Sequence, residues 1–477
     1  MAINTPTKAY KEMAKKWKLP LALWGGTQRM RDECKEWLPQ LPKESDELYK
    51  IRVSRSFLFN VYKRTIISMV GNAFTNNVSV SGVPDELGYL EWNADGQGKT
   101  LTEFASELFQ DRLLFNKAHV YVDFPTTDIQ RVSESEYKSL GLRPYFARIS
   151  PINIIGWEYG YNNGFLNLNN VRITDQDTVV NEDWCEEDRE IVRLITPESI
   201  TTFATPFSGL TISNDDAGWD IIDNVDNALN YIPLQTAGDM YAEPLLEDLA
   251  WLNLQHFQSS SDQHNILHIA RVPFLLGTGF DEKEVENMTI AANEMVVSSN
   301  KDADIKYVEH TGNAINAGRT HGKDLEEQMQ RSGADILFSQ SIARQTASAR
   351  KIDQAESLSV AMQLIRSIEQ VIEQSYLVAA DWLDITEPFE PEVNIGTDLN
   401  LAEEPNPIQG FIQLCQFMGF DAELALEEAK RRGLVAKYLT VNDIKLMEQN
   451  VEQAEANLTA DISATNQPEP EQSREDN

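Results

Sequence analysis

Residues 334–383 read ADILFSQSIARQTASARKIDQAESLSVAMQLIRSIEQVIEQSYLVAADWL, and the architecture of the chain turns on them. Ile352, Ala355, Leu358, Met362, Ile365, Ile368, Ile372, Tyr376, Ala379 and Leu383 recur at steps of three and four. That spacing predicts a helix with one continuous apolar face, and neither Gly nor Pro interrupts the stretch. About 40 helical residues would reach about 60 Å, longer than a single compact domain normally uses. Just upstream, the segment from Ser339 to Arg350 is small, polar and basic. A long rod fed by a polar corner points to a part of an assembly rather than to a catalytic pocket.

Working outward, the 477 residues are enough for two or more modules. The formal net charge of -34 excludes a protein whose main task is gripping phosphates, because that needs clustered Lys and Arg. It argues equally against anionic membrane surfaces. Cys34, Cys185 and Cys415 are far apart and form no Cys-x-x-Cys pair, so structural thiols in a reducing compartment are expected. The lysines Lys8, Lys11, Lys15, Lys16 and Lys18 precede an apolar stretch, Leu19 to Trp24, too short for a signal peptide. No run is long and apolar enough to span a membrane.

Along the chain, a basic amphipathic piece with Trp17 and Trp24 breaks at Gly25-Gly26. Asp46 to Asn72 carries a helical pattern, and residues 78–81 alternate as a short strand. Thr100-Leu-Thr-Glu103 is a capping box that opens a helix through Phe115, followed by a strand from Ala118 to Phe124. Residues 126–140 read as a surface insertion. Several β segments then follow to about Leu234, as meanders rather than βαβ units, so the first half is α+β. Pro244 suits the first turn of a helix reaching about Gln263, with Leu245, Leu249, Leu252 and His256 on one face. From Ile266 to Val308 strands and loops are expected around a short helix near 281–293. Gly312, Gly318 and Gly322 mark turns, and a further helix from Lys323 breaks near Gly333. Short helices occupy 408–458, and 461–477 is a polar tail too poor in apolar residues to fold.

Candidate motifs fail on their missing partners. Gly96-Gln-Gly98-Lys99-Thr100 resembles the end of a phosphate-binding loop, but Asn93 stands where the first Gly belongs and no strand leads in. His264 and His268 are spaced for one helical face, yet no third metal ligand accompanies them and the second His falls in a strand-like segment. The acidic runs 175–190 and 214–226 lack the Gly and Glu positions of a calcium loop. No Gly-x-Ser-x-Gly elbow is present. Neither a cofactor nor a metal is implied, and no catalytic constellation forms.

Four passages carry a family resemblance by their order and length. They are LTEFASELFQDRLLFNKAHVYVDFP with RPYFARISPINIIGWEYG; NYIPLQTAGDMYAEPLLEDLAWLNLQHFQSSSDQHNILHIARVPFLLGTG; DLEEQMQRSGADIL with RQTASARKIDQAESLS; and LALEEAKRRGLVAKYLTVNDIKLMEQ. Together they span most of residues 45–450, and the chain resembles the portal proteins of tailed bacteriophages, of a subfamily once catalogued as a domain of unknown function. The resemblance implies an α+β portal fold. Its parts would be a wing (1–240), a stem helix (241–265), a β-rich clip (266–312), a returning stem helix (313–333), a tunnel loop with a long wing helix (334–391), a helical crown (392–460) and a disordered acidic tail (461–477). It implies a homo-oligomeric ring of about twelve copies at one capsid vertex of the virion, assembled in the host cytoplasm. Double-stranded DNA would pass through it without sequence specificity during packaging and ejection. Terminase large subunit, major capsid protein, scaffold and head-tail adaptor would be its partners, with no membrane involved.

Ser339, Gln340, Arg344, Gln345 and Arg350 are the residues the resemblance brings to the DNA channel. The acidic balance fits, since a wall neutralising six to ten phosphates would bind the duplex too tightly to let it slide. Arg350 equally suits an ion pair with Asp353 on the rod. Two other readings stand beside this one: an enzyme using nucleoside triphosphates through the 96–100 loop, and a monomeric adaptor docking along the rod.

Overall fold

A computed structural model describes residues 2–125, 142–162, 164–180, 184, 186–205, 218–270, 274–280, 302–308, 312–337, 347–396 and 425–426. Met1–Thr397 forms one compact unit and Asp398–Asn477 a second, in which Ala425 and Leu426 are helical.

Local capping chemistry sets the first elements. The Thr7 hydroxyl accepts from Tyr10 N at 3.3 Å and starts α1 (Lys8–Asp32). Gly26, at φ 78° and ψ -163°, breaks that helix where the Gly pair predicts. After α2 (Cys34–Trp37), the single run expected over 46–72 is two helices, α3 (Asp46–Arg55) and α4 (Val61–Ala73). Two caps explain the split. Ser45 Oγ accepts from Leu48 N at 3.3 Å and Asn60 Oδ1 from Lys63 N at 2.9 Å, so each helix has its own start. The strand β1 (Ser79–Ser81) precedes α5 (Leu101–Phe115), where Thr100 and Glu103 form both bonds of the capping box. Asn116 ends α5 in the left-handed region at φ 57°.

Antiparallel pairing then takes over. The strands are β2 (Ala118–Asp123), β3 (Tyr145–Ile149), β4 (Ile154–Asn162), β5 (Phe165–Val180), β6 (Glu186–Ile195), β7 (Ser199–Ala204), β8 (Asp220–Asp226) and β9 (Leu234–Ala237). Strands β4 to β8 form a five-stranded meander in sequence order, while β3-β2-β9 forms a separate three-stranded sheet. Every pair is antiparallel, which makes the architecture α+β as the turn-rich sequence implies. Residues 126–140, the expected insertion, lie outside the described residues.

The remaining elements are α6 (Glu247–Ala270), β10 (Phe274–Thr278), β11 (Asp304–Val308), α7 (Asn313–Leu337), α8 (Ala347–Trp382) and β12 (Glu392–Asn394). The 36 residues of α8 give a rod of about 54 Å. From Ala361 onward its apolar stripe is the centre of the core: Ile365, Ile368, Ile372, Tyr376 and Ala379 are buried against α5 and the β3-β2-β9 sheet. Tyr376 meets Phe146 edge-on with centroids 5.5 Å apart, and Phe146 in turn packs on Phe104 at 5.9 Å. Each fully buried aromatic stabilises by roughly 2–3 kcal/mol through apolar area alone. Trp382 Nε1 donates to Val122 O at 3.2 Å and fastens the far end of the rod to β2.

Polar side chains complete this core. The Glu373 carboxylate accepts from Val393 N at 3.1 Å and that of Glu369 from Ile395 N at 2.9 Å, so α8 fills donors that another strand would take beside β12. Burial pushes the Glu369 carboxyl up, against the Ile395 N–H that favours its charged form. Asp111 on α5 is buried and accepts from Arg148 on β3 twice, at 2.6 and 3.0 Å. Lys117 is also buried; its Nζ donates to Met240 O at 2.5 Å and lies 5.5 Å from the Trp17 ring centroid. Burial lowers its pKa to about 8.

Candidate functional site: a helix, strand pair and helix arm

Helices α6 and α7 lie along each other, and the segment between them folds back as the antiparallel pair β10–β11, with Phe274 opposite Val308 and Thr278 opposite Asp304. The root of this arm is bolted to the helical cluster. Asn253, fully buried on α6, accepts from Tyr62 N at 2.9 Å and donates to Phe59 O at 3.0 Å. One amide therefore satisfies a free donor in the first turn of α4 and a carbonyl just before it. Phe257, Leu254 and Leu249 are buried beside it. Sequence reading passed over Asn253; a lone amide between Leu249, Leu252 and His256 was the available sign.

The two arm helices touch through small and polar groups. His256 Nε2 lies 3.5 Å from Glu326 Oε1, and Gln263 Nε2 donates to Ile315 O at 2.9 Å. A Cβ on Gly318 would collide with the Gln263 side chain, and one on Gly333 would sit 2.9 Å from Thr65 Oγ1. Close packing accounts for Gly318 and Gly333, and α7 runs unbroken through both and through Gly322, where turns and a kink were expected. Only Gly312, at φ 75°, lies outside the helix. Likewise α6 continues to Ala270, so the strand expected from Ile266 begins at Phe274. The helix starts at Glu247, three residues after Pro244, with Glu247 and Asp248 in the first turn where the helix dipole favours acids.

Burial falls along the arm. Leu325, Met329 and Gly333 at the root of α7 are buried, whereas Arg319, Thr320 and His321 further out are exposed. Of α6, the outer residues Asp262, His264 and His268 are exposed. Both histidines therefore lie on one helix, and no group of three metal-ligating side chains occurs among the described residues.

The channel candidates fall at the joint between α7 and α8. Ser339, Gln340, Arg344 and Gln345 lie outside the described residues; Arg350 belongs to the first turn of α8, with its side chain outside the described set. The expected helix at 281–293 and nearly all of the region from 397 onward also lie outside it.

The 96–100 loop is already occupied by its own chain. Asp95 Oδ1 accepts from Gln97 N at 2.9 Å and Lys99 N at 3.1 Å, and Asn93 Oδ1 from Gly98 N at 2.6 Å. Lys99 Nζ donates to both oxygens of Glu107, at 2.9 and 3.0 Å. A phosphate would meet a carboxylate where it needs free N–H groups. The adjoining cleft of about 420 Å³ carries one charge of each sign, Asp95 and Arg143, in its wall beside Tyr89 and Trp92. The acidic run 175–190 is likewise a hairpin stitched by its own cations: Arg189 binds Asp177 at 2.6 Å and Arg193 lies 3.6 Å from Asp175.

Residues 244–383, the arm and the long helix, match a protein family described as a domain of unknown function, DUF4055. No curated protein matches the chain. Among solved structures, it is similar to a chain in "Virion of native gene transfer agent (GTA) particle". That likeness has a TM-score of 0.41 and 12% identity and covers 78% of this chain and 89% of that one. A chain in "Neck of empty GTA particle computed with C6 symmetry" gives a TM-score of 0.39 and 10% identity over 81% and 89% of the two chains. Similarity this distant carries no function across by itself. Among the described residues, no helix is long and apolar enough to cross a membrane.

Proposed function

We propose that the chain is a portal-type subunit of a tailed-phage-like virion. About twelve copies would form a ring at one capsid vertex, through which double-stranded DNA enters and leaves. One observation carries this reading: a rooted pair of helices, α6 and α7, bears a β pair at its outer end and is followed along the sequence by a rod of 36 residues that packs into the α+β body. In this reading the helices are the stem, β10–β11 belongs to the clip that docks terminase and later the head-tail adaptor, and the joint at 338–346 faces the channel. Ser339, Gln340, Arg344, Gln345 and Arg350 then give the passing duplex brief contacts. A net charge of -34 supports transit over capture, because few phosphates are neutralised at once. The role in this reading is structural, and the engagement of the 96–100 loop by Asp95, Asn93 and Glu107 supports it over a nucleotide enzyme.

Electron microscopy and native mass spectrometry of the purified full chain test the reading. Rings with a central hole and about twelve subunits are the expected result. A protein that stays monomeric at high concentration, with and without its scaffold, would overturn it.

A further inference from the structure

A closed ring of identical subunits needs a heterologous contact, in which two different surfaces of one chain meet on neighbouring copies. The first unit carries two exposed surfaces of opposite charge. On α1, Lys8, Lys11, Lys15 and Lys18 are all exposed. At 100° per residue they fall within an arc of about 80°, opposite Met13 and Trp17, which are buried, and they span about 15 Å. Lys8 lies 3.9 Å from Glu12 and Lys18 3.2 Å from Glu36, while Lys11 and Lys15 have no ion-pair partner among the described residues. Like charges at these spacings destabilise a free helix, and they stand out in a chain of net charge -34.

The opposite surface is β8. It is the last strand of the five-stranded sheet, and among the described residues no strand pairs with its outer edge. Asp223 and Asp226 are exposed and have no ion-pair partner among the described residues. A register shift against β7, between Thr202 and Phe203, leaves Ile221 and Ile222 exposed together at 63% and 44%. An open strand edge carrying two exposed isoleucines is a surface that proteins normally cover.

The sheet holds these surfaces apart. Thr7 N donates to Ile155 O on β4 at 2.9 Å and Tyr10 Oη to Ile152 O at 2.8 Å, which seats the start of α1 at the β4 edge. In the order β4-β5-β6-β7-β8, β8 is the other edge, four strand spacings or about 19 Å away. The basic stripe and the acidic edge thus flank one rigid element and cannot neutralise each other within a chain. We infer that the β8 edge of one copy docks on the lysine stripe of α1 in the next, with Asp223 and Asp226, three residues apart and so on opposite faces of the strand, reaching Lys11 and Lys15 from either side of that edge. This identifies a contact inside the ring proposed above and rests on that reading.

Zero-length carbodiimide cross-linking of a mixture of isotopically labelled and unlabelled full-length protein tests it, with microscopy of the same samples. Cross-links joining Lys11 or Lys15 to Asp223 or Asp226 between copies are expected. Lys11→Glu with Lys15→Glu, or Asp223→Lys with Asp226→Lys, should each weaken assembly about tenfold at low salt. Mixing the two reversed proteins, or combining all four changes in one chain, should restore it. All four side chains are exposed, so urea midpoints should match wild type. Closed rings without these cross-links, and unaffected by reversal, would defeat the docking and leave the ring standing. Cross-links and charge dependence in open oligomers that never close would support the docking and defeat the ring. Reversals that change binding to duplex DNA but not assembly would overturn the docking in favour of a nucleic-acid partner.

Discussion

Removing Arg148 should destabilise the body far more than neutralising its partner Asp111. The Asp111 side chain is 1% exposed, and Arg148, at 31%, is the cation that reaches it. Arg148→Met leaves a buried carboxylate unpaired, a loss of about 3–5 kcal/mol; water at the guanidinium places it near 3. Asp111→Asn keeps the shape, and Arg148 retains Glu107 at 3.2 Å, so about 1–2 kcal/mol is expected. Burial raises the Asp111 pKa despite Arg148, whereas the hydrogen bonds to Asp111 overcome burial and raise Arg148. These shifts favour a neutral acid and a charged base respectively; the two-pronged geometry at 2.6 and 3.0 Å decides for the ionised pair near neutral pH. A carboxyl with a raised folded pKa contributes stability that is fully present below its unfolded value and lost as pH rises through the folded one. Without Arg148 that pKa climbs further. The penalty of Arg148→Met relative to wild type should therefore shrink between pH 7 and pH 4.5. Urea unfolding followed by tryptophan fluorescence, at fixed protein concentration, reads both effects. Equal costs for the two variants, or an Arg148→Met penalty unchanged with pH, would refute the reasoning.

Two further outcomes follow from buried groups and glycines. Lys117, with its pKa lowered to about 8, binds its proton more weakly folded than unfolded, so it adds stability as pH rises from about 8 to 10.5. The stability of wild type relative to Lys117→Met should grow by about 2–3 kcal/mol across that window, checked by urea midpoints at each pH. On α7, Gly322→Ala meets nothing within 4 Å and should stabilise by up to about 1 kcal/mol through helix propensity. Gly333→Ala meets Thr65 Oγ1 at 2.9 Å and should destabilise by about 1–3 kcal/mol instead; thermal melts distinguish the two signs.

What the sequence made legible is what short-range chemistry decides. The Thr100 capping box, the break at Gly25-Gly26 and the buried stripe of α8 all rest on residues within a few turns of one another. The arm was legible only in outline, because its boundaries depend on a partner. Gly318 reads as a breaker until Gln263 is seen against it, and the strand-like run from Ile266 continues α6 to Ala270 with nothing in its own letters to mark it as helical. Ser45 and Asn60 did announce two helix starts, yet the apolar pattern from Tyr49 to Met69 ran across both and masked them. The 96–100 loop shows a different limit. Its letters resemble a phosphate cradle, and only the positions of Asp95 and Glu107 show its donors already taken. The meander order of β4 to β8 was legible, whereas the return of β9 to pair with β2 in the three-stranded sheet had no local signature.

The distribution of polar bonds along the arm bears on how such a part could work. At its root, Asn253 ties α6 to the start of α4, and Gly333 brings α7 against Thr65 and Leu249. Loosening either would expose buried amide and carbonyl groups, so the root is held by costs paid in full if it moves. Further out, Gln263 donates to Ile315 O, while Asp262 lies 3.9 Å from Arg52 and His264 and Asn265 sit beside Ile51 and Arg55 of α3. The bonds at the root fix the base of the arm whatever its tip meets. Within α6, Asp248, Asp262 and Glu247 contribute the only formal charges, and the helix carries no Lys or Arg. A polyanion beside it would find no fixed cation along 24 residues, which favours motion past the surface over attachment to it.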